Sequence, residues 1–191
     1  MAENNSMPSD TGENFHGLLN EIITCLWVGE AWHGKAANEC RKIAIRGVGR
    51  WHEVESCYDM KARISLEKLL RDKLEYAPMA DMAEVDKAHR FTMNNAVDFK
   101  SHFSAWVERE KKLIEILNFA IAKASAVDME LYKGLCCLVD EVQNETMRAK
   151  LVYERFELSN WSGHDIGVCS MVLHKYFECE YDGGKIDFNI G

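Results

Sequence analysis

Apolar residues recur at intervals of three and four along most of the chain, which is the spacing of one face of an amphipathic α-helix. Proline, which ends or kinks helices, occurs only at Pro8 and Pro78. Glycines and polar turns separate the periodic segments. The pattern predicts an all-α chain with a short helix near 81–89 and five long helices, at about 15–45, 50–76, 97–125, 130–158 and 162–180.

Ionisable residues interrupt the apolar face of four of these helices. Helix by helix they are Glu30 and His33, Glu55, Glu110, and Glu145. Burying an unpaired carboxylate is costly, so such positions are normally apolar. Because several helices break the rule together, we expect the carboxylates to share one partner. A metal ion held between packed helices is the obvious candidate.

The lengths of the connections predict how the helices are arranged. A short glycine-containing turn follows the first long helix and another short turn, near 126–128, follows the third, so each joins antiparallel neighbours. The stretch from Pro78 to about 96 is long enough to let the third helix run parallel to the second. This arrangement is a four-helix bundle with one long crossover. The chain then divides into a disordered tail at 1–14, the bundle at 15–158, and a C-terminal helix with a short strand-like tail at 159–191.

Composition and charge narrow the classes of function. The 191 residues suit one domain, and a net charge of −8 argues against binding to nucleic acid, which needs a basic surface. No apolar run approaches the length of a membrane span, and the acidic N-terminus lacks the basic and apolar parts of a signal peptide. Seven cysteines without a Cys-x-x-Cys pair favour a reducing compartment. We therefore expect a cytoplasmic protein with no nucleic-acid or membrane partner.

Several segments resemble the ferritin superfamily, particularly bacterioferritins and the Dps-type mini-ferritins. The resemblance covers roughly 18–156 and is carried by segments on all four helices of the bundle, at 18–21, 51–62, 74–78, 106–110 and 138–144. It implies an all-α, ferritin-like four-helix bundle with one long crossover, followed by a fifth helix and a short tail. It also implies a homo-oligomeric shell of twelve or twenty-four subunits.

The resemblance further implies a metal site made of one carboxylate from each helix of the bundle, namely Glu21, Asp59, Glu110 and Glu141. The family's two Glu-x-x-His pairs are absent, because Ala62 and Asn144 replace the histidines. Oxygen ligands suit hard cations, whereas imidazole favours iron and zinc. The resemblance implies that the bound metal is iron, and a centre with two iron ions is one form that the site could take. An alignment error of one turn would exchange Asp59 with Glu55. The second set of candidates consists of Glu55, Glu145, Glu30 and His33.

The sequence is compatible with two further binding sites and with two functions. Glu30 and His33 flank Trp32, similar to a site between subunits in Dps-type proteins. Met60 follows Asp59 as a haem-ligating methionine does in bacterioferritins, but methionine is a common packing residue, so haem is not expected. In the first function, the chain is a cage protein that binds iron. Whether it also oxidises iron, as a ferroxidase, is left open by the sequence. The alternative is a ferritin-like bundle without a working metal centre that serves as an assembly or interaction protein.

Overall fold

The computed structural model describes residues 10–94 and 96–183, and the side chains of 14–94 and 98–175. These residues form six helices: α1 (Asp10–Lys42), α2 (Arg46–Leu74), α3 (Met82–Ala88), α4 (Ala96–Ala124), α5 (Met129–Leu158) and α6 (Gly163–Gly183). The described part of the chain contains no strand, which confirms the all-α prediction. The strand-like tail predicted after 184 lies outside the described residues.

The helices form a bundle with one long crossover, as predicted. Contacts between α2 and α4 pair His52 with His102 and Asp59 with Arg109, in the same order along both helices. The two helices are therefore parallel. Short turns join α1 to α2 and α4 to α5, and the crossover between α2 and α4 contains the short α3. None of the described helices is both long enough and apolar enough to cross a membrane.

The interior has two large apolar clusters with a polar layer between them, and a third, small cluster lies between α1 and α3. Along each helix of the bundle, a buried polar residue of this layer lies between a residue of one cluster and a residue of the other. On α1, His33 lies between Leu26 and Cys40, and on α5, Glu145 lies between Val142 and Ala149. One cluster is mostly aliphatic and includes the first part of α1 and the last part of α2. The other is rich in aromatic rings, among them Trp51, Phe99, Phe103, Trp106, Phe156 and Trp161.

Side chains of α1 hold the start of the crossover. Asn20 Oδ1 accepts hydrogen bonds from Tyr76 Oη at 2.7 Å and from the backbone N–H of Met79 at 2.8 Å. Thr24 Oγ1 accepts a bond of 2.9 Å from the backbone N–H of Asp81. Asp81 in turn caps α3, because its side chain accepts from the first free N–H groups of that helix. The crossover is thus tied to the bundle by polar contacts at its beginning.

The last helix, α6, packs against the start of α2. The backbone N–H of Gly47 donates to Ser170 Oγ at 2.8 Å. A Cβ at Gly47 would clash with the backbone of Ser170, so only glycine permits this close approach. The opposite side of α6 carries Met171 and Val172, which are 62% and 63% exposed.

Candidate metal centre

The polar layer is a cluster of ionisable side chains contributed by all four helices of the bundle. His33 comes from α1, Glu55 and Asp59 from α2, Glu110 from α4 and Glu145 from α5. All five are buried, and Glu110 is only 1% exposed. Each lies on the apolar face of its helix, which is why the packing of the bundle brings them together.

Three of these side chains have the geometry of a metal site. One possible ligand atom from each of His33, Glu110 and Glu145 lies within 4.8 Å of the other two. Two carboxyl oxygens of the cluster, Asp59 Oδ2 and Glu110 Oε2, are buried and have no hydrogen-bond partner among the described residues. Buried oxygens without a partner are costly, and a cation would satisfy them. One imidazole combined with carboxylates is a donor set that fits Fe(II), Mn(II) or Zn(II).

Tryptophan indoles fix two of the carboxylates. Trp51 Nε1 donates to Glu55 Oε1 at 2.6 Å, and Trp106 Nε1 donates to Glu145 Oε1 at 2.7 Å. The negative charge of Glu145 raises the pKa of Glu55 after burial itself, so the two carboxyl groups act on each other. Arg148 lies 3.7 Å from Glu55 and supplies a positive charge at the edge of the cluster. These contacts hold the carboxylates in fixed positions around the centre.

Burial shifts the pKa of every carboxyl group in the cluster upwards. It raises the pKa of Glu110 to about 7, although Arg109 beside it acts in the opposite direction. Burial also raises the pKa of Asp59, Glu55 and Glu145, because a charged carboxylate is poorly solvated there. The metal-free cluster therefore holds fewer negative charges at neutral pH than four carboxylates would carry.

A guanidinium group lies among these carboxyl groups. Arg109 Nη2 is 2.7 Å from His33 Nε2, and it forms an ion pair with Glu110. Arg109 Nε also donates to Glu110 Oε1 at 2.8 Å. Asp59 Oδ2 is 3.9 Å from the same guanidinium. The centre thus contains an internal cation.

Three buried histidines extend from the centre in a hydrogen-bonded chain. His33 Nδ1 is 2.8 Å from His52 Nδ1, and His52 Nε2 is 3.1 Å from His102 Nε2. Burial lowers the pKa of His33 and His52 well below the usual range and that of His102 to about 3, so all three are neutral at pH 7. Trp32 stacks on His102 with ring centres 4.0 Å apart.

Arg109 fixes the positions of the protons along this chain. A guanidinium can only donate hydrogen bonds, so His33 Nε2 must accept and the proton of His33 is on Nδ1. His33 then donates to His52 Nδ1, and the proton of His52 is on Nε2, from which it donates to His102. His33 Nε2, which carries the lone pair, also lies 3.4 Å from Glu145 Oε1.

Comparison with solved structures identifies the fold. An open-pore ferritin from the hyperthermophilic archaeon Archaeoglobus fulgidus superposes with a TM-score of 0.71 at 14% identity, over 85% of this chain and 97% of its own. The chain has a ferritin-like fold. A humanized archaeal ferritin gives a TM-score of 0.71 at 15% identity, over 88% and 98% of the two chains. A variant of PmFTN that was soaked in iron gives 0.71 at 11% identity, over 84% and 99%.

At sequence identities this low, the structural likeness shows the fold but not the activity, which depends on the residues of the site. The sequence matches no protein-family model, and it matches no curated protein. The resemblance seen in the sequence is therefore supported at the level of the ferritin-like fold. The assignment to the bacterioferritin or Dps-type branch stays a prediction.

The structure separates the predicted site residues into two groups. Asp59 and Glu110 lie in the buried cluster together with the second-choice residues Glu55, Glu145 and His33. The other predicted residues lie outside it. Glu21 is 44% exposed and pairs with Lys112, Glu141 is exposed on α5, and Glu30 is bonded to Arg63.

Three members of the centre were not among the sequence candidates: His52, His102 and Arg109. Each is next in sequence to a residue on the buried face. His52 follows Trp51, His102 precedes Phe103, and Arg109 precedes Glu110. A helix that packs against two partners buries a wider face than one row of residues. The sequence signal for these residues is a histidine or arginine at the edge of the apolar face of a helix.

Proposed function

We propose that this ferritin-like chain binds iron as cargo at the buried centre formed by His33, Glu110 and Glu145. The observation that carries the proposal is the convergence of these three donor atoms from three helices, within 4.8 Å of one another. Asp59 and Glu55 line the same centre and supply further carboxyl oxygens. The likeness to ferritins in fold makes iron the first cation to test.

The chemistry of the donors supports a divalent cation. His33 is neutral at pH 7, because burial lowers its pKa, so its Nε2 lone pair can bind a metal without first losing a proton. Burial raises the pKa values of Glu110 and Asp59, because a negative charge is poorly solvated there. A divalent ion would compensate this charge and convert the carboxyl groups to carboxylates, with release of protons.

The cage and the oxidation step extend this proposal. We infer that copies of the chain assemble into a homo-oligomeric shell that stores the iron. Storage as a ferric mineral requires oxidation of Fe(II), with dioxygen or peroxide as the acceptor of electrons. The buried position of the centre suits such a step, because the surrounding protein limits access of water to the reacting ion.

Anaerobic titration calorimetry with Fe(II), Mn(II) and Zn(II) tests the site, with Glu145→Gln compared to its matched control Glu141→Gln. Both residues are glutamates of α5, one turn apart, and only Glu145 is buried in the cluster. We expect Glu145→Gln to weaken metal binding by about 10- to 100-fold or more, since it removes a charged donor atom. Glu141→Gln should leave the affinity of the wild type unchanged.

The same pair of variants separates the two functions. Equal losses in both variants would mean that the metal does not bind at the buried cluster. If the wild-type protein binds none of the three ions and oxidises Fe(II) no faster than buffer does, iron binding is wrong. The assembly or interaction function would then describe the protein better.

A further inference from the structure

Arg109 contacts the atoms that a metal ion would need. Its Nη2 is 2.7 Å from His33 Nε2, the nitrogen that faces Glu145, and it pairs with Glu110 Oε1. The third donor of the centre, Glu145, also attracts it and raises the pKa of the guanidinium. A cation bound to His33 and Glu110 would therefore occupy the position of the guanidinium, and both cannot be there together.

The two cations require the same arrangement of the surrounding protons. Arg109 donates to His33 Nε2, which places the proton of His33 on Nδ1 and directs it at His52. A metal ion on Nε2 requires the same tautomer, and His52 would accept the same hydrogen bond. Exchange of one cation for the other leaves the histidine chain unchanged.

The fit of Arg109 to the centre is incomplete. Its Nη1, together with Asp59 Oδ2 and Glu110 Oε2, is buried without a hydrogen-bond partner among the described residues. A guanidinium is planar, carries one positive charge and offers only N–H donors at fixed angles. It therefore compensates the carboxyl groups less completely than a divalent ion, to which carboxylate oxygens can bind from several directions.

The side chain of Arg109 has a route out of the centre. It is 17% exposed, whereas Glu110 next to it is 1% exposed. Its guanidinium carbon lies 5.0 Å from the centre of the Trp32 ring, so one flank of the group packs on an aromatic face. Rotation of this side chain could bring the charge towards solvent without movement of a helix.

We propose that Arg109 is a built-in competitor for the metal, whose guanidinium occupies the centre in the metal-free protein and leaves it when a divalent cation binds. The inference rests on the proposed function. The residue has two effects: it stabilises the empty cluster by supplying a positive charge, and it lowers the affinity of the centre for the metal. Both effects would favour a site from which the ion can be released again.

Titration calorimetry with Zn(II), which does not oxidise, tests this inference on Arg109→Gln and on a matched control, Arg63→Gln. Arg63 is also a partly buried arginine, 11% exposed, with two glutamate partners and an aromatic ring beneath it, but it lies outside the cluster. We expect Arg109→Gln to bind Zn(II) about tenfold more tightly than wild type or better, because the competing charge is gone. Metal-free Arg109→Gln should unfold at a lower temperature than wild type, and Arg63→Gln should keep the wild-type affinity.

Each outcome distinguishes the inference from the function on which it rests. If wild type binds Zn(II) and Arg109→Gln binds it equally or more weakly, the competitor role is wrong and the metal site stands. If only Arg109→Gln binds Zn(II), the competitor role holds in its strongest form, and the Fe(II) and Mn(II) titrations of wild type decide the proposed function. If neither protein binds Zn(II), the competitor role is wrong, and the same two titrations decide the proposed function.

A measurement on the wild-type protein covers the case in which Arg109→Gln does not fold. The Nε–H of Arg109 is hydrogen-bonded to Glu110, so its ¹⁵N NMR signal should be shifted and protected from exchange before a metal is added. Addition of Zn(II) should remove that protection. A protected Nε–H signal of Arg109 in the metal-loaded protein would overturn the inference.

Discussion

At Glu110, burial and one neighbouring charge raise the pKa of the carboxyl group, and a second neighbouring charge lowers it. Burial raises the pKa of this carboxyl group to about 7, Arg109 favours its charged form, and Glu145 disfavours it. At neutral pH the group is thus close to the midpoint of its titration. A small change in the charge nearby, such as the arrival of a cation, changes its protonation.

The raised pKa predicts how the stability of the metal-free protein varies with pH. In the unfolded chain the pKa returns to about 4.5, so between pH 4.5 and 7 the folded state binds the proton more tightly. The stabilisation is fully present below pH 4.5 and is lost as the pH rises through 7. We expect wild type to lose about 3 kcal/mol of unfolding free energy over this range, relative to Glu110→Gln, at about 1.4 kcal/mol per pKa unit.

Urea unfolding of both proteins in a chelating buffer, from pH 4.5 to 8, measures this difference. The buried histidines and the carboxyl groups of Glu55, Asp59 and Glu145 are present in both proteins, so the comparison isolates Glu110 together with its effect on these groups. The same comparison with Glu141→Gln serves as the control, because Glu141 is exposed and should give a flat difference. A difference between wild type and Glu110→Gln that stays constant, or that grows in favour of wild type with rising pH, would contradict the prediction.

At the level of the helices, local pattern predicts the fold well. Periodicity and the positions of proline and glycine are local signals, and they give each long helix to within a few residues. The largest difference is at the start of α1, which begins at Asp10 where the apolar pattern predicts about 15. The crossover follows from the length of the segment after Pro78, which is too long for a tight turn.

The site depends on register, which a distant resemblance does not fix. On α5, periodicity places Glu145 on the buried face with Val142 and Ala149, and the structure buries all three. The resemblance instead selects Glu141, which the structure leaves exposed. A slip of one helical turn preserves most of the apolar pattern, so an alignment at low identity tolerates it.

The internal cation could not be predicted from the sequence. Arg109 and Glu108 both flank Glu110, and both look like surface residues of an amphipathic helix. Only the packing of α1 and α2 against α4 decides that Arg109 reaches His33 and Asp59 while Glu108 stays exposed. Contacts between helices distant in sequence are what an isolated pattern lacks.

The packing of α6 on α2 predicts opposite effects for two glycines. Gly47→Ala should destabilise the protein by about 2 kcal/mol or more, because the added methyl group meets the backbone of Ser170. Gly167→Ala, in the second turn of α6, has no heavy atom near its new methyl group and should stabilise by up to about 1 kcal/mol through helix propensity. Thermal unfolding of the two variants measures both effects. Equal shifts of the two midpoints would mean that α6 does not pack on α2.

For the whole molecule, the polar layer divides the bundle into two apolar halves. Each half supplies burial of apolar side chains, while the layer between them contains buried carboxyl groups and unpaired oxygens that cost stability. Buried polar residues that lower the stability of a core are the ones most in need of a functional explanation. Glu110 and Glu145 of the candidate centre lie near the middle of α4 and α5.

The surface that remains exposed predicts assembly. Met171 and Val172 on the outer side of α6 are 62% and 63% exposed, and adjacent exposed apolar side chains are typical of contacts between subunits. We expect a native mass several times that of the chain by light scattering, and a lower mass when Met171→Glu and Val172→Glu are combined, because two charges would have to be buried at the contact. Met79→Glu, an exposed methionine in the crossover, is the control for adding charge elsewhere and should assemble like wild type. An unchanged mass in the double variant would exclude α6 from the subunit contact but would leave the shell intact. A clean monomer in the wild type would contradict the shell itself, because a single bundle has no enclosed volume in which iron could be stored.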